Sequence, residues 1–125
     1  MYQYGMAVLV NRLSNNFTLE DMSPLERKDK DALNFLAITT NNIGMLTFER
    51  QLSFHAVSMF FGPINRMMGQ RFRTLVTRLQ ENASHQGLTE ESTEVLDWSI
   101  WLLDRMEELP PPKGRANIVH KDWTP

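Results

Sequence analysis

The sequence contains no cysteine among its 125 residues. A disulfide framework is therefore excluded, and so is a zinc site built on thiolate ligands. Disulfides belong to oxidising compartments, so the absence of cysteine agrees with a reducing one. We expect the protein to be cytoplasmic.

Long apolar runs are also missing. The longest extend from Met6 to Val10 and from Val57 to Gly62, and a serine interrupts the second. A helix that spans a bilayer needs about 20 apolar residues. The opening residues, Met1-Tyr2-Gln3-Tyr4, carry no basic side chain of the kind that begins a secretory signal. We expect neither a membrane-spanning segment nor a signal peptide.

Motifs that carry chemistry are absent as well. The sequence has no G-x-S-x-G, no S-x-x-K and no glycine-rich phosphate loop. Its three histidines, His55, His85 and His120, fall in unrelated predicted elements and nominate no metal site. His55 shares a helix edge with Gln51, which predicts a partly buried, hydrogen-bonded histidine. We therefore expect no enzymatic activity, no metal and no cofactor.

The charge balance gives no general attraction for nucleic acid. Thirteen basic and fifteen acidic residues leave a net charge of −2, so the chain as a whole does not attract phosphate. The arginines between residues 64 and 79 occupy two separated faces, whereas a phosphate-tracking surface would form one stripe. Nucleic acid is therefore not a predicted partner.

Helical periodicity is what the sequence does contain. Apolar residues recur three and four positions apart in five segments, at 2–15, 23–43, 47–62, 64–79 and 89–109. The pattern predicts an all-α fold, a compact helical bundle of about five helices over residues 1–109. Three consecutive prolines then begin an extended Pro-rich C-terminal tail, residues 110–125, which we expect to pack on the bundle or on a partner.

Local signals predict where these helices begin and end. Ser23-Pro24-Leu25-Glu26 has the pattern of a capping box with proline at the first helical position, and the charged run that follows is expected to be a solvated face. Gly44, just after Asn41-Asn42, predicts a left-handed residue at the helix end. Gly62-Pro63 indicates either a tight turn between helices or a kink in one helix, and the glycine favours the turn.

The third predicted helix is apolar on almost every side. Only a narrow polar strip interrupts its large side chains, which include Phe48, Leu52, Phe54, Val57, Met59, Phe60 and Phe61. A helix of this kind is normally buried in a bundle or sealed into an interface. We therefore expect the segment from Phe48 to Phe61 to be the enclosed centre of the fold.

Charge is divided unevenly between the last two predicted helices. The fourth carries Arg66, Arg71, Arg73 and Arg78, whereas acidic residues dominate the fifth. Within the fifth, Glu90, Asp97 and Asp104 recur every seven residues, with Glu108 one turn later and Trp101 beside them. The simpler interpretation is a pair of neighbouring antiparallel helices with complementary, solvated rims. The alternative is an acidic, aromatic-edged surface that docks on a basic partner and imitates a phosphate backbone.

Short motifs connect part of the sequence to a known family. They are Leu33-Asn34-Phe35-Leu36, Gly44-Met45-Leu46, Phe60-Phe61 and Arg71-Phe72. Over residues 30 to 80 the sequence resembles an uncharacterised bacterial family of small helical domains, many of which follow a membrane-spanning helix. That family has no established activity, so the resemblance implies a helical fold and no functional residues.

Apolar residues that fall outside the predicted buried stripes point to a partner. They are Tyr4, Val8, Ile38 and Trp101, and the Met67-Met68 pair adds to them, although Met68 itself belongs to the predicted buried stripe of the fourth helix with Phe72 and Leu75. Together they predict an exposed patch larger than a monomer usually keeps. Our first hypothesis is a non-catalytic protein-protein interaction module that forms homo-oligomers, with Met67 and the tail residue Trp123 at the contact.

A second hypothesis uses the acidic helix edge instead. A small bacterial, phage or mobile-element inhibitor or adaptor would dock Asp97, Asp104 and Glu108 on a basic surface of its target. Glu90 and Trp101 would extend that contact. The two hypotheses differ in the partner, because the first predicts a second copy of the chain and the second predicts a different protein.

Overall fold

The computed structural model describes residues 1–85 and 96–109. Within these residues lie five helices and no strand. The helices are α1 (Tyr2–Arg12), α2 (Leu19–Met22), α3 (Arg27–Phe48), α4 (Phe54–His85) and α5 (Asp97–Glu107). The predicted all-α bundle of about five helices is therefore confirmed. The predicted tail, residues 110–125, lies outside the described residues.

Helix α3 is the element on which the others assemble. It packs against α1, α4 and α5, and its inward residues Leu33, Leu36 and Ala37 are fully buried. The main core continues from these residues to Leu9 of α1 and Leu75 of α4. The central helix of this fold is therefore α3, and the segment that the sequence predicted to be the centre begins only at its last residue.

Two glycines let neighbouring helices approach the α3 backbone closely. A Cβ atom placed on Gly5 would lie 2.6 Å from the carbonyl oxygen of Ala32, and one placed on Gly44 would lie even closer to the carbonyl oxygen of Trp98. Side chains cannot be accommodated at either crossing without moving backbone. Gly44 is thus an interior residue of α3, and the prediction that it ends the helix is wrong.

Hydrogen bonds reinforce the crossing of α3 and α5. The Ser99 N–H donates to Asn41 Oδ1 at 3.2 Å, and the Ser99 hydroxyl donates to the Ala37 carbonyl at 3.3 Å. Ser99 is fully buried and Asn41 nearly so. Asn41 therefore serves a helix-helix contact instead of a helix end.

The left-handed helix end does exist, but Arg50 occupies it. Arg50 has a φ of 62°, and its N–H donates to the Thr47 carbonyl at 3.1 Å, while the Gln51 N–H donates to the Leu46 carbonyl at 2.9 Å. These two bonds form a Schellman motif with Arg50 at the position where glycine is usual. An L-residue other than glycine is unfavourable there.

The segment from Phe48 to Phe61 is not one enclosed helix. Phe48 is the last residue of α3 and is 54% exposed, α4 begins only at Phe54, and Met59 and Phe60 are 68% and 62% exposed. The Thr47 hydroxyl donates to the Ile43 carbonyl at 2.7 Å, so Thr47 continues α3 and does not cap a new helix. A helix that is apolar all round does not reveal which side its neighbours cover.

Helix α4 continues without interruption through the predicted Gly62-Pro63 turn. Pro63 lies inside the helix on its exposed side, whereas Gly62 is buried. Proline removes the hydrogen bond that residue 63 would give to the Met59 carbonyl. Because Met68 and Phe72 are held in the core beyond this point, packing maintains the helix despite that loss. The predicted turn is wrong.

The capping box forms five residues earlier than predicted, at Thr18–Asp21. Thr18 Oγ1 accepts from the Asp21 N–H at 3.2 Å, and Asp21 Oδ2 accepts from the Thr18 N–H at 2.9 Å. This box begins α2, which lies between the first two predicted helical segments. Helix α3 begins at Arg27 after a cap at Glu26 that makes no side-chain hydrogen bond. Thr-x-x-Asp and Ser-x-x-Glu share one spacing, so sequence alone did not separate them.

Polar side chains of α4 hold the connection between α1 and α2. Three carbonyl groups of that connection each accept a bond from α4: Leu13 from Arg71 Nε (3.2 Å), Asn15 from the Thr74 hydroxyl (2.7 Å) and Phe17 from Arg78 Nε (2.8 Å). Phe17 is fully buried and so anchors this segment in the core. The connection is therefore held by hydrogen bonds from α4 side chains to its main-chain carbonyls and by the buried ring of Phe17.

Candidate interaction surface

The outward side of the first half of α4 carries uncovered apolar side chains, which we call the α4 stripe. Its members are Ala56, Met59, Phe60, Pro63 and Met67, all of them exposed. Their spacing of three and four residues places them on one side of the helix. Met67, predicted at a partner contact, is 80% exposed. The sequence pattern could have located this stripe only if the covered side of α4 had been known.

The α4 stripe is long enough, and exposes enough apolar surface, to be compared with known interaction patches. Residues 56 to 67 span about 16 Å along the helix. The three large side chains, Met59, Phe60 and Met67, are between 62% and 80% exposed. An aromatic side chain buries roughly 150–250 Å² when fully covered. With each methionine taken at about the lower end of that range, the three together offer roughly 400 Å² of apolar surface.

The rim of the α4 stripe is polar but contains no acid. Arg66 and Gln70 lie along one edge and are exposed. No aspartate or glutamate occurs between Gln51 and Gln80. The stripe is therefore an apolar centre with a weakly positive edge.

A second group of exposed apolar side chains lies on the outward side of α3, and we call it the α3 face. It consists of Phe35, Ile38, Met45 and Leu46, which are 38% to 52% exposed. Exposed polar residues, Asp31, Asn34 and Asn42, lie among them. The predicted exposure of Ile38 is confirmed, whereas Val8, predicted to be surplus, is buried in the core.

Three aromatic rings form a cluster where α3 ends against α5. The ring centroid of Phe48 lies 4.7 Å from that of Trp98 and 5.6 Å from that of Trp101, and the two tryptophans are 5.9 Å apart. The Arg105 guanidinium lies 5.9 Å from the Trp101 centroid. Because the rings pack on one another, they leave no cage for a ligand between them. Trp101, predicted at a partner surface, is half-buried in this cluster.

The described carboxylates of the predicted acidic edge all contact other side chains of the protein. Asp104 accepts from Arg73 Nη2 at 2.8 Å, Asp97 accepts from Gln80 Nε2 at 2.9 Å, and Glu108 pairs with Arg105 at 2.7 Å. Arg73 also pairs with Glu107 at 2.9 Å. The prediction that the fourth and fifth helices carry complementary rims is thus confirmed at Arg73. Glu90 and Trp123 lie outside the described residues.

A buried carboxylate that the sequence analysis missed joins α1 to α3. Asp29 belongs to the charged run expected to be a solvated face, yet it is fully buried. It accepts hydrogen bonds from the Tyr4 hydroxyl and the Arg12 guanidinium, and the bond from Tyr4 raises the pKa of that hydroxyl. Tyr4 and Arg12 are eight residues apart, about two helical turns, which is the one signal that could have suggested a common partner.

One small cavity between the helices has no room for an organic ligand. A cavity among Tyr2, Thr40, Phe61, Asn65 and neighbouring apolar residues holds about 20 Å³, measured as the space open to the centres of water molecules. Thr40 Oγ1 and Asn65 Oδ1 are buried there without a hydrogen-bond partner. A single water needs roughly 10–15 Å³ by this measure. Burial on the edge of the cavity raises the pKa of Tyr2.

Neither a metal site nor a membrane helix is found in residues 1–85 and 96–109. No three histidine or acidic side chains in this part of the chain converge as they would around a metal ion. His55 is exposed, so its predicted partial burial is wrong. None of the helices described there is both long and apolar enough to cross a bilayer.

Comparisons with known proteins were made for sequence families, individual proteins and folds. The predicted resemblance to the bacterial family of small helical domains stays a prediction. No family model, no curated protein and no solved structure matches this chain.

Proposed function

We propose that this protein is a non-catalytic helical interaction module that forms homo-oligomers, and that it acts in the cytoplasm. The observation that supports the proposal is the α4 stripe, where Met59, Phe60 and Met67 are exposed side by side. The largest apolar patch on a typical monomer is about 300–600 Å² and is often functional. The α4 stripe reaches that range before the α3 face is counted.

The free energy available from covering the stripe is of the size that association requires. If two stripes cover each other, roughly 800 Å² of apolar surface leaves water, worth about 20 kcal/mol at 25 cal/mol per Å². Loss of translational and rotational freedom costs about 4–15 kcal/mol. The remainder, about 5–16 kcal/mol, includes the roughly 8 kcal/mol of a micromolar dissociation constant.

The mass in solution tests this proposal. Sedimentation equilibrium or light scattering across about 1 to 100 µM should give a mass that rises above that of the 14.6 kDa chain. A mass that stays at 14.6 kDa over the whole range would contradict homo-oligomerisation.

The alternative function, an inhibitor or adaptor that docks an acidic helix edge, has less support. Asp97, Asp104 and Glu108 each already contact a side chain of this protein. A basic partner would have to compete with those contacts or share the carboxylates. We therefore keep the acidic edge as the second candidate.

A further inference from the structure

We infer that the α4 stripe is the contact surface of a two-fold dimer in which the two copies of α4 lie antiparallel and cross at Pro63. The inference rests on the proposed function, because it specifies which face joins the copies and in which orientation. Its occupant is a second copy of this chain. Three properties of the stripe support it: its boundaries, its charge and its register.

The α4 stripe ends where another part of the protein begins to cover the same side of the helix. Toward the end of α4 the same side of the helix is covered by the connection between α1 and α2, because Thr74 bonds the Asn15 carbonyl at 2.7 Å and Gln70 bonds Asn16 at 3.4 Å. The uncovered α4 stripe therefore extends only from Ala56 to about Met67. The α3 face is a poorer candidate, since its apolar side chains are less exposed and lie among polar ones.

Charge favours the antiparallel orientation. In a parallel pair, Arg66 of one copy would lie beside Arg66 of the other, and no acidic residue between 51 and 80 could neutralise them. In an antiparallel pair centred on Pro63, the two arginines lie about 9 Å apart along the helices. Each then lies over Phe60 of the other copy, where an arginine can interact with the aromatic ring.

The register also pairs the large apolar side chains. With the two-fold axis at Pro63, Met59 of one copy faces Met67 of the other, and the same contact occurs twice. Methionine suits such a contact because its flexible thioether fills irregular gaps. The apolar centre supplies about half of the roughly 800 Å² per partner in a standard interface, and Arg66 with the other polar residues beside the stripe is expected to contribute the rim.

The first experiment compares two exposed positions by mass. Met67→Asp places a charge in the proposed contact, whereas the matched control, Ile38→Asp, places the same charge on the α3 face. We expect Met67→Asp to raise the dimer dissociation constant at least about tenfold and Ile38→Asp to leave it within about twofold. Circular dichroism verifies that both variants keep their helices.

The possible results distinguish a wrong contact surface from a wrong proposed function. A dimer that dissociates in Ile38→Asp but not in Met67→Asp, or that persists in both variants, would overturn the inference and leave homo-oligomerisation standing. A wild-type protein that is monomeric at every concentration would overturn the proposed function itself.

The second experiment determines the orientation. Because the chain has no cysteine, single-cysteine variants give unambiguous disulfides under mild oxidation. Pro63→Cys lies at the proposed axis and should cross-link with itself. Met67→Cys should not, because its copy would lie about 12 Å away along the helix, but it should cross-link when mixed with Met59→Cys.

Each cross-linking result decides the orientation or the surface. Self-linking of Met67→Cys without the mixed product would overturn the antiparallel arrangement. Absence of all these products from a protein that is dimeric by mass would show that the α4 stripe is not the contact.

Discussion

Replacing Arg50 with glycine should stabilise the protein. Arg50 has a φ of 62° at the C-terminal end of α3, and the flanking hydrogen bonds to Thr47 and Leu46 require that conformation. The residue is exposed, so the substitution removes no packing. Glycine adopts the left-handed conformation without the steric conflict that a Cβ atom creates.

The expected gain is the difference between two opposing terms. An L-residue in the left-handed region costs roughly 1–2 kcal/mol relative to the right-handed one. Glycine, however, loses more backbone entropy on folding, which opposes the gain by about 0.5–1 kcal/mol. We therefore expect Arg50→Gly to raise the free energy of unfolding by about 0.5–1 kcal/mol, which corresponds to about 2–5 °C in the melting temperature.

Urea denaturation and thermal melting measure this change, and two variants control for other causes. Arg50→Ala removes the same charge but keeps a Cβ atom, so it should not be stabilised. Glu49→Gly introduces glycine at a residue with a φ of −75°, and it should lose about 0.5–1 kcal/mol. If Arg50→Gly melts no higher than Arg50→Ala, the strain argument is wrong.

Three further changes test other parts of the fold. Gly44→Ala should lose about 1–3 kcal/mol in a urea titration, because α5 must move away from α3 to admit the methyl group. Arg12→Ala should lose about 2–3 kcal/mol by the same assay, because it leaves the buried carboxylate of Asp29 without its cation. Burial raises the pKa of Tyr2, and the bond to Asp29 raises that of Tyr4, above 10.0. The stability that these protonated tyrosines contribute should be present below about pH 10 and lost as the pH rises further, and Tyr→Phe variants should show a weaker alkaline decline.

Matched positions control the first two of these changes. Gly62→Ala should change the free energy of unfolding by less than about 0.5 kcal/mol, because the helix preference of alanine is opposed by contact of its Cβ atom with the Pro63 ring, while outside the neighbouring residues that atom meets only Arg66 Nη1, at 3.4 Å. Lys28→Ala should lose less than about 0.5 kcal/mol, because its pair with Glu26 is fully on the surface. Equal losses at Gly44 and Gly62, or at Arg12 and Lys28, would contradict the packing and burial arguments.

The helical class and the core side of α4 could be predicted from the sequence. Periodic apolar residues dictate which side of a helix is buried when the opposite side is polar, and Met68, Phe72 and Leu75 are buried as that rule requires. The ionic contact between the last two helices followed from their opposite charges. Met67 could be predicted as surplus because it lies beside a core position.

The remaining features depended on neighbours that no local pattern reveals. Glycine can end a helix or admit a crossing helix, and only the position of α5 decides that Gly44 does the second. A helix that is apolar all round offers no polar side to orient it, so the exposure of Phe60 could not be predicted. Asp29 looked like one charge among several, because its partners lie on a different helix.

The bonds from α4 to the connection between α1 and α2 have one more implication. Arg71, Thr74 and Arg78 donate hydrogen bonds to main-chain carbonyl oxygens, which every amino acid possesses. Ser14 and Asn15 are exposed, so replacing their side chains would leave these hydrogen bonds in place. Replacing Arg71, Thr74 or Arg78 would instead remove the hydrogen bond that the residue donates. The two sides of this contact therefore differ in their tolerance to substitution. A mutational scan should find that the exposed residues of the connection accept many side chains, whereas the three α4 positions accept few.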